Sequence, residues 1–369
     1  MSPLDEARRL VVKVGSALLV RSDGAIDQEW LAALCEDVAD RRAQGQDVIL
    51  VTSGAIAVGR KPLGLGAGPL RLEEKQAAAA TGQIRLAHAY QQALATHRLT
   101  CAQVLVTIDD TENRRRFLNA RNTLQTLLRL GAVPVINEND TVATQEIRFG
   151  DNDRLAARVA QMIGADALVL FSDIDGLYSA DPRRDPNAQF IAEVHEMTPA
   201  IDAMAGDPGS AVGTGGMVTK LQAARIALGA GCRMAIAPGK KLHPLRSMAE
   251  GRCTWFYPNQ EPLTARKQWI AGSIKPLGRL TVDDGAARAL LKGGSLLPAG
   301  IRRIDGDFQK GDAVTVRDGT GRDLGRGLAA YGADDARRLL GRKSGDFEDL
   351  LGYRGPDEMI HRDDLVLTP

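Results

Sequence analysis

Seven polar residues crowd one short segment: Asn137, Glu138, Asn139, Asp140, Asp151, Asn152 and Asp153 lie within 17 positions. They follow an apolar run, Ala132 to Ile136, that reads as a buried strand. A carboxylate buried without a partner is costly, so groups at this density need water, a cation or a ligand. Two readings are open on composition, a solvated loop or a site. Gly150 permits backbone geometry closed to most residues. Asp151 is placed to cap a helix from Asn152 to Ile163, closed by Gly164. A polar segment between a buried strand and a helix start is a usual ligand position in an open α/β sheet.

Three other places put chemistry-bearing residues at the ends of apolar runs. Lys13 sits in Leu10-Val-Val-Lys-Val14, where it either snorkels at a strand end or reaches a phosphate at the sheet edge. Ser53-Gly54 ends a second buried strand and opens a short helix, Ala55 to Arg60. That geometry presents N–H groups to an anion, or is simply a tight strand–helix turn. Gly213-Thr-Gly-Gly-Met-Val-Thr-Lys220 leads into a helix expected from Leu221 to Leu228. It is not a Walker A sequence, but it has the glycines, helix start and lysine of a phosphate grip. Ser172-Asp173 ends a further strand, where an acidic group suits ribose or metal contacts and also plain turn chemistry.

The elements that must carry these residues alternate. Strands are expected at Leu10–Val14, Asp47–Ser53, Cys101–Thr107, Ala132–Ile136, Asp166–Asp173 and Cys232–Ala237. Helices are expected at Asp27–Gln44, Glu73–Arg98 (interrupted at Gly82) and Arg114–Leu130. The Arg114-Arg-Arg116 triplet suits a solvated helix face, and the Gly/Pro-rich Lys61–Pro69 a lid or linker. Repeated strand–helix units imply an α/β fold with a mostly parallel sheet covered by helices on both faces. From Gly278 onward short strands, glycines and turns take over, which reads as a separate small β barrel or sandwich. The divisions expected are 1–262, a linker at 263–277, a second domain at 278–356 and a tail at 357–369.

Composition excludes several classes. Net charge is +1 over 369 residues, so no global field draws nucleic acid or membrane. No apolar run approaches the ~20 residues that span a bilayer, and the charged start lacks a signal-peptide core. Cys35, Cys101, Cys232 and Cys253 lack zinc or redox spacing and fit a reduced, cytoplasmic setting as buried apolar residues. Residues 275–369 balance 16 Lys+Arg against 16 Asp+Glu, and only Phe308, Tyr331, Phe347 and Tyr353 offer aromatic faces. Strong RNA binding is therefore not expected.

Val51-Thr-Ser-Gly-Ala-Ile56, Val135-Ile-Asn-Glu-Asn-Asp140, Gly150-Asp-Asn-Asp153, Gly176-Leu-Tyr178, Ala180-Asp-Pro182 and Gly213-Thr-Gly-Gly-Met217 with Lys220 resemble the bacterial glutamate 5-kinases. Gly293 to Gly300, Leu351-Gly-Tyr353 and His361-Arg-Asp-Asp364 resemble the PUA domain appended to that family. The match runs in order along essentially the whole chain.

The resemblance implies an amino-acid-kinase fold with a PUA domain. It implies phosphorylation of the glutamate side chain by MgATP, the first step of proline biosynthesis. By similarity Ser53, Gly54, Asn137, Asp140 and Asn152 would bind glutamate, with Asp140 on its α-ammonium. Lys13, Ser172, Asp173 and the run Thr214, Gly215, Gly216, Met217, Val218, Thr219 and Lys220 would hold ATP. Lys13 and Lys220 would offset phosphoryl charge, and Asp153 would hold both lysines. Mg²⁺ is expected among phosphates and waters, without an assigned protein ligand. Ser172 stands where the family often has threonine, and Val218 where a small polar residue is expected. Proline inhibition, involving Lys61–Arg71 and Asn137–Gly150, and a dimer or tetramer are further expectations. Aspartate or acetylglutamate kinase and an RNA-binding PUA protein are the alternatives.

Overall fold

A computed structural model describes residues 3–66, 68–142, 151–205, 216–249, 251–259, 261–262, 264, 267 and 276–367. The chain divides into two compact units, Met1–Glu112 with Asn119–Pro262, and Asn113–Leu118 with Leu263–Pro369.

The strands of the first unit are β1 (Arg9–Val14), β2 (Asp47–Val51), β3 (Cys101–Val106), β4 (Val133–Glu138), β5 (Ala167–Ser172), β6 (Leu177–Tyr178), β7 (Phe190–Ile191), β8 (Glu193–Val194), β9 (Arg233–Pro238) and β10 (Thr254–Phe256). Its helices are α1 (Ser16–Leu19), α2 (Gln28–Ala43), α3 (Ala55–Arg60), α4 (Leu72–Ala95), α5 (Ile108–Glu112), α6 (Arg114–Arg129, whose first turn groups with the second unit), α7 (Asp151–Ile163), α8 (Pro199–Ala203), α9 (Met217–Gly229) and α10 (Pro244–Ser247). Eight strands form one sheet in the order β3-β4-β2-β1-β5-β9-β10-β8, parallel except where β10 meets β9. β1 lies in its interior, so Lys13 stands opposite Val51 and Leu170. Hydrophobic strands buried on both faces are what such crossover connections produce. Val12, Val14, Leu50, Val169 and Phe171 join Trp30, Leu34, Val38, Leu86, Tyr90 and Leu94 in one core. α7 and α9 pack together and line other parts of the sheet.

Local signals account for most boundaries. Asp27 caps α2 by accepting from the Trp30 N–H at 3.1 Å. Gly131 and Gly164 take left-handed φ values of +79° and +63° just past α6 and α7. Gly82 differs from expectation, because α4 runs through it unbroken. A Cβ there would lie 1.8 Å from the Ala55 carbonyl oxygen, and one on Gly59 would lie 1.8 Å from that of Ala78. The paired glycines let α3 and α4 cross backbone to backbone; their role is close approach, not interruption. The helix after Gly216 begins at Met217 instead of Leu221, which places Lys220 inside its first turn. α7 likewise begins at Asp151, one residue earlier than expected.

The second unit carries β11 (Gly278–Val282), α11 (Asp284–Leu291), β12 (Ile301–Gly306), β13 (Ala313–Arg317), β14 (Asp323–Leu328), α12 (Ala333–Arg338), α13 (Phe347–Leu351) and β15 (Leu365–Leu367). Its sheet runs β12-β11-β13-β14-β15 over a core that includes Leu280, Phe308, Val316, Tyr331 and Ile360. Residues 365–367, expected in a tail, pair antiparallel with β14 and form an edge of this sheet. Phe308, Tyr331 and Phe347 are buried, which leaves Tyr353 the exposed aromatic among the four. Among the described residues, no helix is long and apolar enough to cross a membrane.

Candidate active site

The carboxyl ends of β4, β2, β1 and β5 lie side by side, and the starts of α7 and α9 face them with polar side chains. Lys13, one residue before the end of β1, is buried, so it does not snorkel. Its Nζ meets Asp153 Oδ1 at 2.7 Å. Lys220 Nζ, from the first turn of α9, meets Asp153 Oδ2 at 3.2 Å. Thr219 Oγ1 donates to that same oxygen at 3.0 Å. Asp153 itself is 1% exposed, in the first turn of α7, where the helix dipole favours an anion.

Electrostatics decides the charge state of this cluster. Burial pushes the Asp153 carboxyl up, but the adjacent ammonium groups of Lys13 and Lys220 outweigh it and hold the group below the usual carboxylate range. Two cations and one anion leave an excess positive charge where water is largely excluded. Such a cluster can offset the charge of an incoming phosphoryl group, because buried charges interact more strongly than solvated ones.

A second set of side chains lies beside it. Asn152 Nδ2 donates to the Thr52 carbonyl and to Ser53 Oγ, both at 2.8 Å, and to Asn137 Oδ1 at 3.1 Å. Its own Oδ1 is buried and has no partner among the described residues. A buried acceptor is costly to leave unmatched, so this oxygen is suited to accept a hydrogen bond from a ligand donor. Gly54 adopts φ +103° at the start of α3, and a Cβ there would sit 2.9 Å from Val20 Cγ2. The turn therefore requires glycine whatever its part in binding. Asp140 is largely buried just past β4.

On the other side of the cluster, Ser172 ends β5 and donates to Asp173 Oδ1 at 3.2 Å. Arg183 donates to Asp173 Oδ2 at 2.8 Å. Burial raises the Asp173 carboxyl, but that arginine more than offsets it and keeps the group low. Gly216 caps α9, and Met217, Val218 and Thr219 form its first turn with Lys220. Thr214 and Gly215 lie outside the described residues, as do Gly150 and positions 143–149. Lys13, Asp153 and Lys220 are thus in direct contact, and Ser53, Asn137 and Asn152 in a second contact set.

Four residues were not picked out for these contacts from sequence. Thr52, Gln83 and Tyr90 join the second set, Tyr90 OH donating to Thr52 Oγ1 at 3.1 Å. Thr219, expected only on the nucleotide, contacts Asp153. Nothing local in the Ala-rich stretch around Gln83 marks it. Among the described residues, no group of three or more His, Cys, Asp or Glu is placed to hold a metal.

Comparison with known proteins matches residues 8–238 to the amino acid kinase family and residues 278–351 to the PUA domain. The chain is 69% identical over 369 residues to a glutamate 5-kinase of Paramagnetospirillum magneticum, covering 100% of both chains. It is 64% identical to one from Rhodospirillum rubrum, over 97% of this chain and 96% of that one. A glutamate 5-kinase of Paracoccus denitrificans is 58% identical over 99% of this chain and 98% of its own length.

Proposed function

Since the chain belongs to the glutamate 5-kinases of the amino acid kinase family, it phosphorylates L-glutamate with ATP, and we propose that the buried Lys13–Asp153–Lys220 cluster carries the transfer. The nucleophile is a side-chain carboxylate, ionised at neutral pH, so no general base is required. One of its oxygens bonds to the γ-phosphorus as the bond to the ADP oxygen breaks, giving L-glutamyl 5-phosphate for proline biosynthesis. The barrier is electrostatic: an anion must approach a polyanion. Lys13 and Lys220 place ammonium groups against the phosphoryl oxygens, and Asp153 keeps both in register without cancelling their combined charge.

Glutamate is held by Ser53, Gly54, Asn137, Asp140 and Asn152, with Asp140 on the α-ammonium and Asn152 Oδ1 available to hydrogen-bond the substrate. ATP is held by Lys13, Ser172, Asp173 and the segment from Thr214 to Lys220. Mg²⁺ would be carried mainly by phosphate and water oxygens, which suits its preference for hard ligands and retained waters. Asp153 already engages two lysines and is a poor candidate ligand. The ion would supply further neutralisation of the phosphates. L-proline, with an ammonium and a carboxylate on one carbon, fits the same polar set and would act as an inhibitor competing with glutamate. The enzyme is assigned to the cytoplasm, as a homodimer or homotetramer.

The observation that carries this reading is one carboxylate at 1% exposure bridging two lysines from different elements. The test is ATP-dependent hydroxamate formation in hydroxylamine with glutamate, aspartate and N-acetylglutamate. Glutamate should be strongly preferred; preference for either of the others overturns the assignment.

A further inference from the structure

We propose that Gln83 is a positioning residue for the amino-acid substrate, acting through Asn137 to fix which atom Asn152 presents. The proposal rests on the reading above that Asn137 and Asn152 belong to the glutamate site.

The hydrogen bonds impose a single polarity on this network. The Glu138 N–H can only donate, and it meets Asn137 Oδ1 at 2.9 Å. That turns the Asn137 amide nitrogen the other way, where it donates to Gln83 Oε1 at 2.7 Å. The Thr52 carbonyl can only accept, so the Asn152 nitrogen must face it. The two hydrogens of Asn152 Nδ2 are shared among Thr52, Ser53 and Asn137, and its Oδ1 is left without a partner among the described residues. Both lone pairs of Asn137 Oδ1 are occupied, by Glu138 N–H and Asn152 Nδ2. Among the described residues, Gln83 is thus the acceptor that holds the remaining end of Asn137.

The backbone supports this placement. Gln83 follows Gly82, whose contact with Ala55 locks α4 against α3 beside Ser53 and Gly54. Tyr90, two turns further along α4, reaches Thr52 from the same helix. α4 therefore braces both the Asn137 and the Thr52 sides of the network. Without the Gln83 acceptor, a buried N–H of Asn137 loses its partner among the described residues, which favours the amide turning away from Glu138 and Asn152.

Steady-state kinetics of Gln83→Met, Gln83→Asn, Gln83→Glu, Asn137→Ala and the Gln83→Met/Asn137→Ala pair, made in the full chain, test this. Gln83→Met and the shorter Gln83→Asn should each raise KM for glutamate about tenfold, as loss of one buried hydrogen bond implies, with KM for ATP unchanged. Gln83→Glu keeps an acceptor and should stay within about threefold of the parent. In the double variant Gln83→Met should add nothing to the effect of Asn137→Ala, the coupling expected of one network. Additive effects, or a glutamate KM unmoved in both Gln83→Met and Gln83→Asn while Asn137→Ala raises it, overturn the positioning role alone. If Asn137→Ala also leaves the glutamate KM unchanged, the glutamate-site reading itself fails.

Discussion

Replacing Asp153 with asparagine keeps the shape of the side chain and removes its charge. Asp153 is 1% exposed and touches Lys13 at 2.7 Å and Lys220 at 3.2 Å. The substitution takes the cluster from one net positive charge to two, with no anion between the ammonium groups. Removing one partner of a buried ion pair costs about 3–5 kcal/mol. At about 2–4 °C per kcal/mol for domains of a few hundred residues, the melting temperature should fall on the order of 10 °C. Bound nucleotide supplies the missing negative charge, so ATP should raise the melting temperature more in Asp153→Asn than in the parent. Thermal melts with and without ATP, alongside glutamyl hydroxamate formation, measure both effects. An unchanged melting temperature with near-normal turnover would refute the bridging role.

Gly82→Ala gains intrinsic helix propensity of about 1 kcal/mol, yet its Cβ would meet the Ala55 carbonyl oxygen at 1.8 Å. Net destabilisation of about 1–3 kcal/mol should appear in denaturant melts, with weakened glutamate affinity as α3 shifts. Ending the chain at residue 356 removes β15 and uncovers the β14 edge, and light scattering should report aggregation of the truncated protein. The Asp153 carboxyl is held below its ordinary value of 3.8, so the unfolded state takes up its proton first. Its contribution to stability should be fully present above that value and be lost only as pH falls further, through the lower folded-state titration. Melts of the parent and Asp153→Asn should therefore converge on strong acidification.

The strand–helix alternation of the first unit was legible because buried parallel strands are continuous apolar runs and the intervening helices carry caps. Asp27 and the glycines after α6 and α7 are examples where a local rule and the structure agree. Gly82 shows where a local rule misleads: helix propensity weighs the residue alone, whereas the α3–α4 crossing decides its use. β15 was hidden because a three-residue edge strand has too few positions to show alternation. Lys13 was visible as a misplaced charge in a buried strand, but composition left its partner open. The family resemblance suggested Asp153 as that partner, and the fold brings residues 13, 153 and 220 into contact. Gln83 was illegible for a related reason, since its contact to Asn137 spans 54 positions and no local motif marks it as a site residue.

The most direct test of the phosphoryl-transfer cluster is turnover of Lys220→Ala, measured as ATP- and glutamate-dependent hydroxamate. This variant leaves Asp153 paired with Lys13 and the cluster neutral, so the fold should be retained while transition-state charge goes uncompensated. Turnover should fall by about 10²–10³ or more in protein with a parent-like melt. A folded Lys220→Ala enzyme working at near-parent rate would contradict the account.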